Sequence, residues 1–394
     1  MKPASLPRLL LLVALPCAGF SAAWLLRARG SQPTELEPAP IRAPQLAARR
    51  VLAPGVASPA AEVGSAAPRA AWVELNNEAT TDLTAGDLAV AIAKFERCWA
   101  AEPESAVFTG NLAEALVRLA RFEHERGELA PAIEHLARAL ELGGARTDVE
   151  ILRRMLERWR RELELGQDDW TDDSSRFELT FDTGRSDILH HSHEVLEHLE
   201  RSYDELVLWF GSDPLAGAPA IRVVLYEPED FARLTGLGDW AAGLFDGVVR
   251  VSVRDLADGG TWRRVLVHEL VHAFVHALGG PDVPGWLNEG VAQLLEGRAG
   301  EVARMRQRLR ASELFPLEQL AGSLASWEDT TAIARAYAQS LVFADSLRAS
   351  YGDEALRRML DARALGLGPA AAFEQWTSVP LELAFQDWRA TLEH

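Results

Sequence analysis

The period of the apolar positions divides the chain into two stretches of different rhythm. Between residues 72 and 165 apolar side chains recur at helical spacing, as in helices that bury one face. From Phe177 the pattern changes. Phe177 to Phe181 alternates apolar and polar residues, and Ile221 to Tyr226 is a short β-branched run; both predict strands. Gly247 to Val253 predicts another, with Val249, Val251 and Val253 on one face. Helical periodicity covers Ser186 to Phe210, Thr261 to Leu278, Gly285 to Leu295 and Thr331 to Tyr351. Gly279-Gly280-Pro281 marks a turn that folds the third of these helices back on the second. Strands first and helices after predict an α+β unit over residues 176–394.

The helical stretch carries an internal repeat. GDLAVAIAKFERCWAAEPES from Gly86 realigns with GELAPAIEHLARALELGGAR from Gly127 at an offset of 41 residues. Leu88 matches Leu129, Ala91-Ile92 matches Ala132-Ile133, and Arg97 matches Arg138. The pattern resembles the tetratricopeptide repeat. On that resemblance the glycine opens the turn between paired helices, the alanines let them approach, and Pro103 ends the second helix. The offset exceeds the usual period of that family, which predicts a longer first helix in the second unit. A plain bundle of helical hairpins is the other reading. Either way residues 72–165 form an all-helical scaffold that offers a surface for a protein partner.

Ahead of it, residues 31–71 are rich in Ala and Pro and nearly free of aromatics, the composition of a disordered tether. Before that, Lys2 and Arg8 precede an uncharged run from Leu9 to Leu26, followed by Arg27. Residues 1–30 therefore read as an export signal, cleaved near Ser21-Ala22-Ala23 or retained as a membrane anchor. The expected location is outside the cytoplasm, periplasmic or held at the membrane by this segment.

Charge and cysteine content narrow the chemistry. With 58 acidic against 40 basic residues the net charge is −18, which opposes nucleic-acid binding. The two cysteines are Cys17, in the N-terminal run, and Cys98, in a helical apolar pattern. A thiolate zinc site is thereby excluded, and a bound metal must take His and carboxylate ligands.

TWRRVLVHELVHAFVHALGG supplies them. His268 and His272 stand four apart, one helical turn, so both imidazoles can face one metal with Glu269 beside it. This H-E-x-x-H arrangement is the zinc-peptidase signature. The other helix faces are apolar through Val265, Leu266, Leu270, Val271, Phe274 and Val275. The strand at Gly247–Val253, if an edge, would pair with an extended peptide. Sixteen residues past His272, Glu289 appears in WLNEGVA at the start of the next helix. His, His and Glu are an established catalytic zinc set that leaves a fourth position for water.

From Phe177 to the C-terminus the chain resembles the gluzincin metallopeptidases, specifically the peptidase MA-like group. WLNEGVA is similar to the third-ligand motif of the related zinc aminopeptidases. The resemblance implies a zincin-like domain with a small sheet and an active-site helix, acting on a peptide or protein substrate. It implies one zinc ion per chain on His268, His272 and Glu289, with Glu269 as base. It also implies Glu296 as a carboxylate orienting a ligand histidine and Tyr337, in AYAQSL, as a donor to the developing oxyanion. A surface glutamate and a core aromatic are the plainer readings of those two. The aminopeptidase motif that grips a free amino terminus is absent, which favours an endopeptidase. His276 lies too far along the helix to share the metal and reads as structural. His190, His191 and His193 read as exposed. A scaffold protein with an inactive peptidase-like domain and a zinc hydrolase of non-peptide substrates are the alternatives.

Overall fold

A computed structural model describes residues 69–145, 147–165, 169–182, 186–236, 241–253, 256, 261–280, 283–324, 327 and 329–392. The uncharged N-terminal run with Cys17, and the Ala/Pro-rich tether up to residue 68, lie outside the described residues. Among the described residues no helix is long and apolar enough to cross a membrane.

Among the described residues five helices come first: α1 (Arg69–Ala85), α2 (Leu88–Ala101), α3 (Ala106–Glu125), α4 (Leu129–Leu142) and α5 (Val149–Leu165). Gly86 and Gly127, at φ +88° and +76°, turn the chain between α1 and α2 and between α3 and α4. A side chain at either φ would strain the backbone, which is why the repeat places glycine there. Ser105 caps α3, and that helix runs for 20 residues against 14 for α2 and α4. Their shared core holds Phe95, Leu112, Leu116, Leu136 and Trp159, with Cys98 also buried.

Among the described residues the sheet has five strands: β1 (Asp169–Asp173), β2 (Phe177–Asp182), β3 (Ile221–Tyr226), β4 (Gly243–Phe245) and β5 (Val249–Ser252). Their spatial order is β1-β2-β3-β5-β4. β2, β3 and β5 run parallel, and β1 and β4 flank them antiparallel. The first strand thus precedes residue 176. The fold is α+β, and strands alternate with α6 (Ser186–Phe210) and α7 (Pro228–Thr235) rather than all coming first. One expectation needs correcting. The Gly247–Val253 run is not an edge: β5 is interior, and the three-residue β4 forms the edge on that side.

Each face of the sheet has its own partner. Phe177, Leu179, Phe181, Val223, Leu225, Val249 and Val251 point to one side, into a core shared with α6 and α8 (Thr261–Gly279). Behind α8 stand α9 (Gly285–Leu295), α10 (Val302–Arg306), α11 (Thr330–Tyr351), α12 (Asp353–Leu360), α13 (Pro369–Thr377) and α14 (Leu381–Ala390). Phe274, Trp286, Phe343 and Phe385 are buried here, each side chain contributing about 1.5–3 kcal/mol by its burial. Gly290 lets α9 touch α11, because a Cβ there would lie 2.6 Å from the Ser340 carbonyl oxygen. The opposite sheet face carries Arg222, Tyr226 and Arg250, by the two-residue alternation, and meets the helical unit.

Candidate metal centre

α8 positions three of the expected residues. His268 and His272 lie one turn apart, with ring centroids separated by 4.6 Å and ring planes at 84°. α9 brings the fourth. Pro284 precedes its first turn, which suits a residue with fixed φ and no N–H to place. Glu289 Oε2 stands 3.3 Å from His268 Nε2 and 3.8 Å from His272 Nε2. The ligand atoms of the three residues lie within 4.8 Å of one another. A tetrahedral zinc with bonds of about 2.0–2.1 Å separates its ligands by roughly 3.3 Å. The spacing fits such an ion after small side-chain adjustments.

The remaining ring nitrogens are already committed. His268 Nδ1 donates to Glu296 Oε2 at 2.9 Å, and His272 Nδ1 donates to Asn288 Oδ1 at 2.8 Å. Glu296 ends α9 and is itself held by Arg298 and by Arg264, the latter at 3.4 Å. With both Nδ1 atoms donating, each Nε2 is the nitrogen turned towards Glu289. Neither Nε2 makes a hydrogen bond of ordinary alignment. Both carboxylate oxygens of Glu269 are buried without a hydrogen bond as well.

Such atoms are costly to bury, and here they are buried almost completely. His268 and Glu269 are 0 % exposed, His272 and Glu289 2 %, and Glu296 5 %. The electrostatics follow. Burial works against the His268 imidazolium, but the Glu296 charge and hydrogen bonds to Glu289 and Glu296 lift its pKa to about 10. Burial and the neighbouring His268 charge push His272 well below the ordinary histidine value. Glu269 is driven well above the carboxylate range by burial first, with the His268 charge opposing the shift and the Glu289 and Glu296 charges adding to it. Three carboxylates around two imidazoles leave an excess of buried negative charge, so the cluster favours a cation.

Tyr337, on α11, is buried with its hydroxyl beside these carboxylates. Burial and the charges of Glu289 and Glu269 push its pKa well above the usual tyrosine value. Gln293 Nε2 donates to the Glu289 carbonyl at 3.1 Å and the Tyr337 carbonyl at 3.0 Å, tying α9 to α11 at the site. No family model matches the chain, and no curated protein does. What the centre can do is therefore read from its own atoms: two imidazole nitrogens and a carboxylate converge beside a buried, unbonded glutamate.

His276 is outside the group. It is half-buried near Phe245, and burial with the charges of Arg121 and Arg363 brings its pKa down to about 4. On α6, His191 is half-buried and His193 exposed, while the side chain of His190 lies outside the described residues. Two further residues at the centre are absent from the sequence reading. Asn288 gives its signal only by adjacency to Glu289 in WLNEGVA. Gly243 has no sequence signal at all, yet β4 passes so close to α8 there that a Cβ would collide with Glu269 Oε1.

Proposed function

We propose that the chain is an exported zinc endopeptidase of the gluzincin type, with a peptidase domain over residues 176–394 behind tetratricopeptide-like helices over 72–165. Convergence of His268 Nε2, His272 Nε2 and Glu289 Oε2 supports the reading most strongly. These three residues would hold one zinc ion. Bound there, zinc supplies Lewis-acid polarisation of a carbonyl and acidification of water, from a pKa of about 16 towards about 7.

The residues of the chain carry the rest. Glu269, next to His268 and free of hydrogen bonds, takes a proton from the attacking water and returns it to the leaving amine. The Tyr337 hydroxyl donates to the carbonyl oxygen as it gains negative charge. Glu296 and Asn288 fix the two imidazoles in the orientation that aims Nε2 inwards.

Substrate would lie along β4. Ser252 N–H donates to the Ala242 carbonyl and Asp246 N–H to the Val248 carbonyl, so residues 242 and 246 bond inwards to β5. By antiparallel alternation Leu244 does too, and the N–H and C=O groups of Gly243 and Phe245 face the outer edge. An extended peptide pairing with those groups would be drawn past Glu269.

Cleavage mapping by mass spectrometry on a peptide library tests the proposal, with Glu269→Gln as control. The wild type should hydrolyse amide bonds, and the variant should hold zinc without turnover. Full activity in the variant, cleavage of non-amide bonds alone, or no hydrolysis by zinc-loaded wild type each contradicts it.

A further inference from the structure

The helical unit meets the sheet through a run of buried charges on the face away from α8. Arg250, wholly buried on β5, donates through Nη2 to Glu162 Oε2 on α5 at 2.7 Å. Its Nε donates to Asp246 Oδ1 at 3.1 Å, and its Nη1 to the Tyr226 hydroxyl at 2.7 Å. Arg158, also on α5, reaches Asp246 Oδ2 at 3.0 Å. His124, near the end of α3, stacks on Trp159 with centroids 4.4 Å apart and meets Glu162 Oε2 at 2.9 Å. Arg222 on β3 donates to the His124 carbonyl at 2.9 Å. Gly247, at φ +99°, lets the β4–β5 turn pass over Glu125, where a Cβ would stand 3.2 Å from Cγ.

Asp246 is where this network touches the edge strand. It follows β4 directly and shapes the turn, accepting from Val248 N–H at 3.4 Å through Oδ1. Three residues upstream, about 10 Å along a strand, Gly243 lies against Glu269. β4 spans three residues and, among the described residues, has a strand partner on one side, so its own ladder holds it weakly. What holds its far end is an aspartate hydrogen-bonded to one arginine of the sheet and ion-paired with one arginine of the helical unit.

We propose that the helical unit is a positioning element for β4: Arg158, through Asp246, holds the edge strand in register beside Glu269. The placement of β4 stands on these contacts alone; its consequence for substrate rests on the peptidase reading. A paired surface of this kind would make the unit a fixed part of the substrate groove rather than a module swinging on a tether.

Hydrogen exchange by mass spectrometry on the full chain tests this, in Arg158→Ala, Arg158→Lys and a control, Arg138→Ala. Arg138 pairs with Glu96 within the helical unit, away from the sheet. In Arg158→Ala the segment covering Leu244 and Asp246 should exchange about tenfold faster, with α8 unchanged. Arg158→Lys should restore most of the protection, and Arg138→Ala should match wild type. Zinc content should stay constant, while KM for a peptide rises about tenfold at nearly constant kcat. Wild-type exchange in β4 of Arg158→Ala would overturn the proposal. So would equal acceleration in α8, or loss of zinc, since either means general loosening. Faster β4 exchange with no hydrolysis by any form would uphold the positioning role and remove the peptidase reading.

Discussion

Two buried polar clusters sit on opposite faces of one sheet, and they differ in how fully their atoms are paired. Around Arg250, opposite charges balance: Glu162, Asp246 and Tyr226 accept its hydrogen bonds, and Arg158 stands 3.0 Å from the second Asp246 oxygen as an ion pair without an aligned hydrogen bond. Around His268 the signs are unbalanced. Three carboxylates face two imidazoles, both Nε2 atoms lack an aligned partner, and Glu269 bonds to nothing. The first arrangement is what a folded interface requires of buried charge. The second costs stability and is retained where chemistry needs it. Burial of charge alone thus does not distinguish a site from an interface, and neither does a single unbonded atom, since Asp246 Oδ2 is one; an unbalanced set of charges around unbonded ligand atoms does.

The largest expected effect lies at the unpaired cluster. Glu269→Gln should lower kcat on peptides on the order of 10³- to 10⁴-fold with zinc retained, read by steady-state assay alongside metal analysis. The comparison then predicts opposite stability signs. Glu162→Ala leaves Arg250 and His124 buried without their carboxylate, and urea unfolding should show a loss of about 3 kcal/mol. Glu269→Gln removes a buried carboxylate that has no partner, so the metal-free protein should be unchanged or gain up to about 1 kcal/mol. Equal destabilisation by both would erase the distinction. A smaller effect belongs to Asn288→Ala, which frees His272 to rotate. Zinc affinity should fall about 10- to 100-fold in a competition titration, with the fold intact by circular dichroism.

Last comes Glu125, at the margin of the paired cluster. Burial, aided by the Asp246 charge and opposed by Arg121, pushes its carboxyl up to about 8. Its folded pKa lies above the unfolded value. The stabilisation from keeping the neutral form is whole below about pH 4.5 and is lost as pH rises through 8. Glu125→Gln, neutral throughout, should equal wild type at pH 4 and exceed it by about 1 kcal/mol at pH 8.5, discounted for the residue's partial exposure. A pH-independent difference in urea midpoints would refute the assignment.

What the sequence disclosed, and what it hid, follows the same division. The imidazole pair was legible because four-residue spacing on a helix is local geometry. Glu289 was legible because a second apolar helix followed a glycine turn. Val249 and Val251 mark one face of β5, but the alternation that puts Arg250 on the other face carries no sign that this face is buried. The burial of Arg250 depends on Glu162, 88 positions away, and pairing across that span has no local signature. β4 was hidden because three residues cannot show an alternation. β1, in Asp169–Asp173, carries acidic residues that strands usually lack, so the sheet edge escaped notice. The conditional reading of Gly247–Val253 as an edge does not hold because β4, the strand that covers it, was invisible.

The central question is whether His268, His272 and Glu289 share a cation. X-ray absorption on the zinc-loaded full chain measures this most directly. It should find one zinc per chain with two imidazole nitrogens and a carboxylate oxygen at about 2.0 Å, and both His272→Ala and Glu289→Ala should lose the ion at micromolar concentration. Substoichiometric zinc in the wild type, or an unchanged spectrum in either variant, would contradict it.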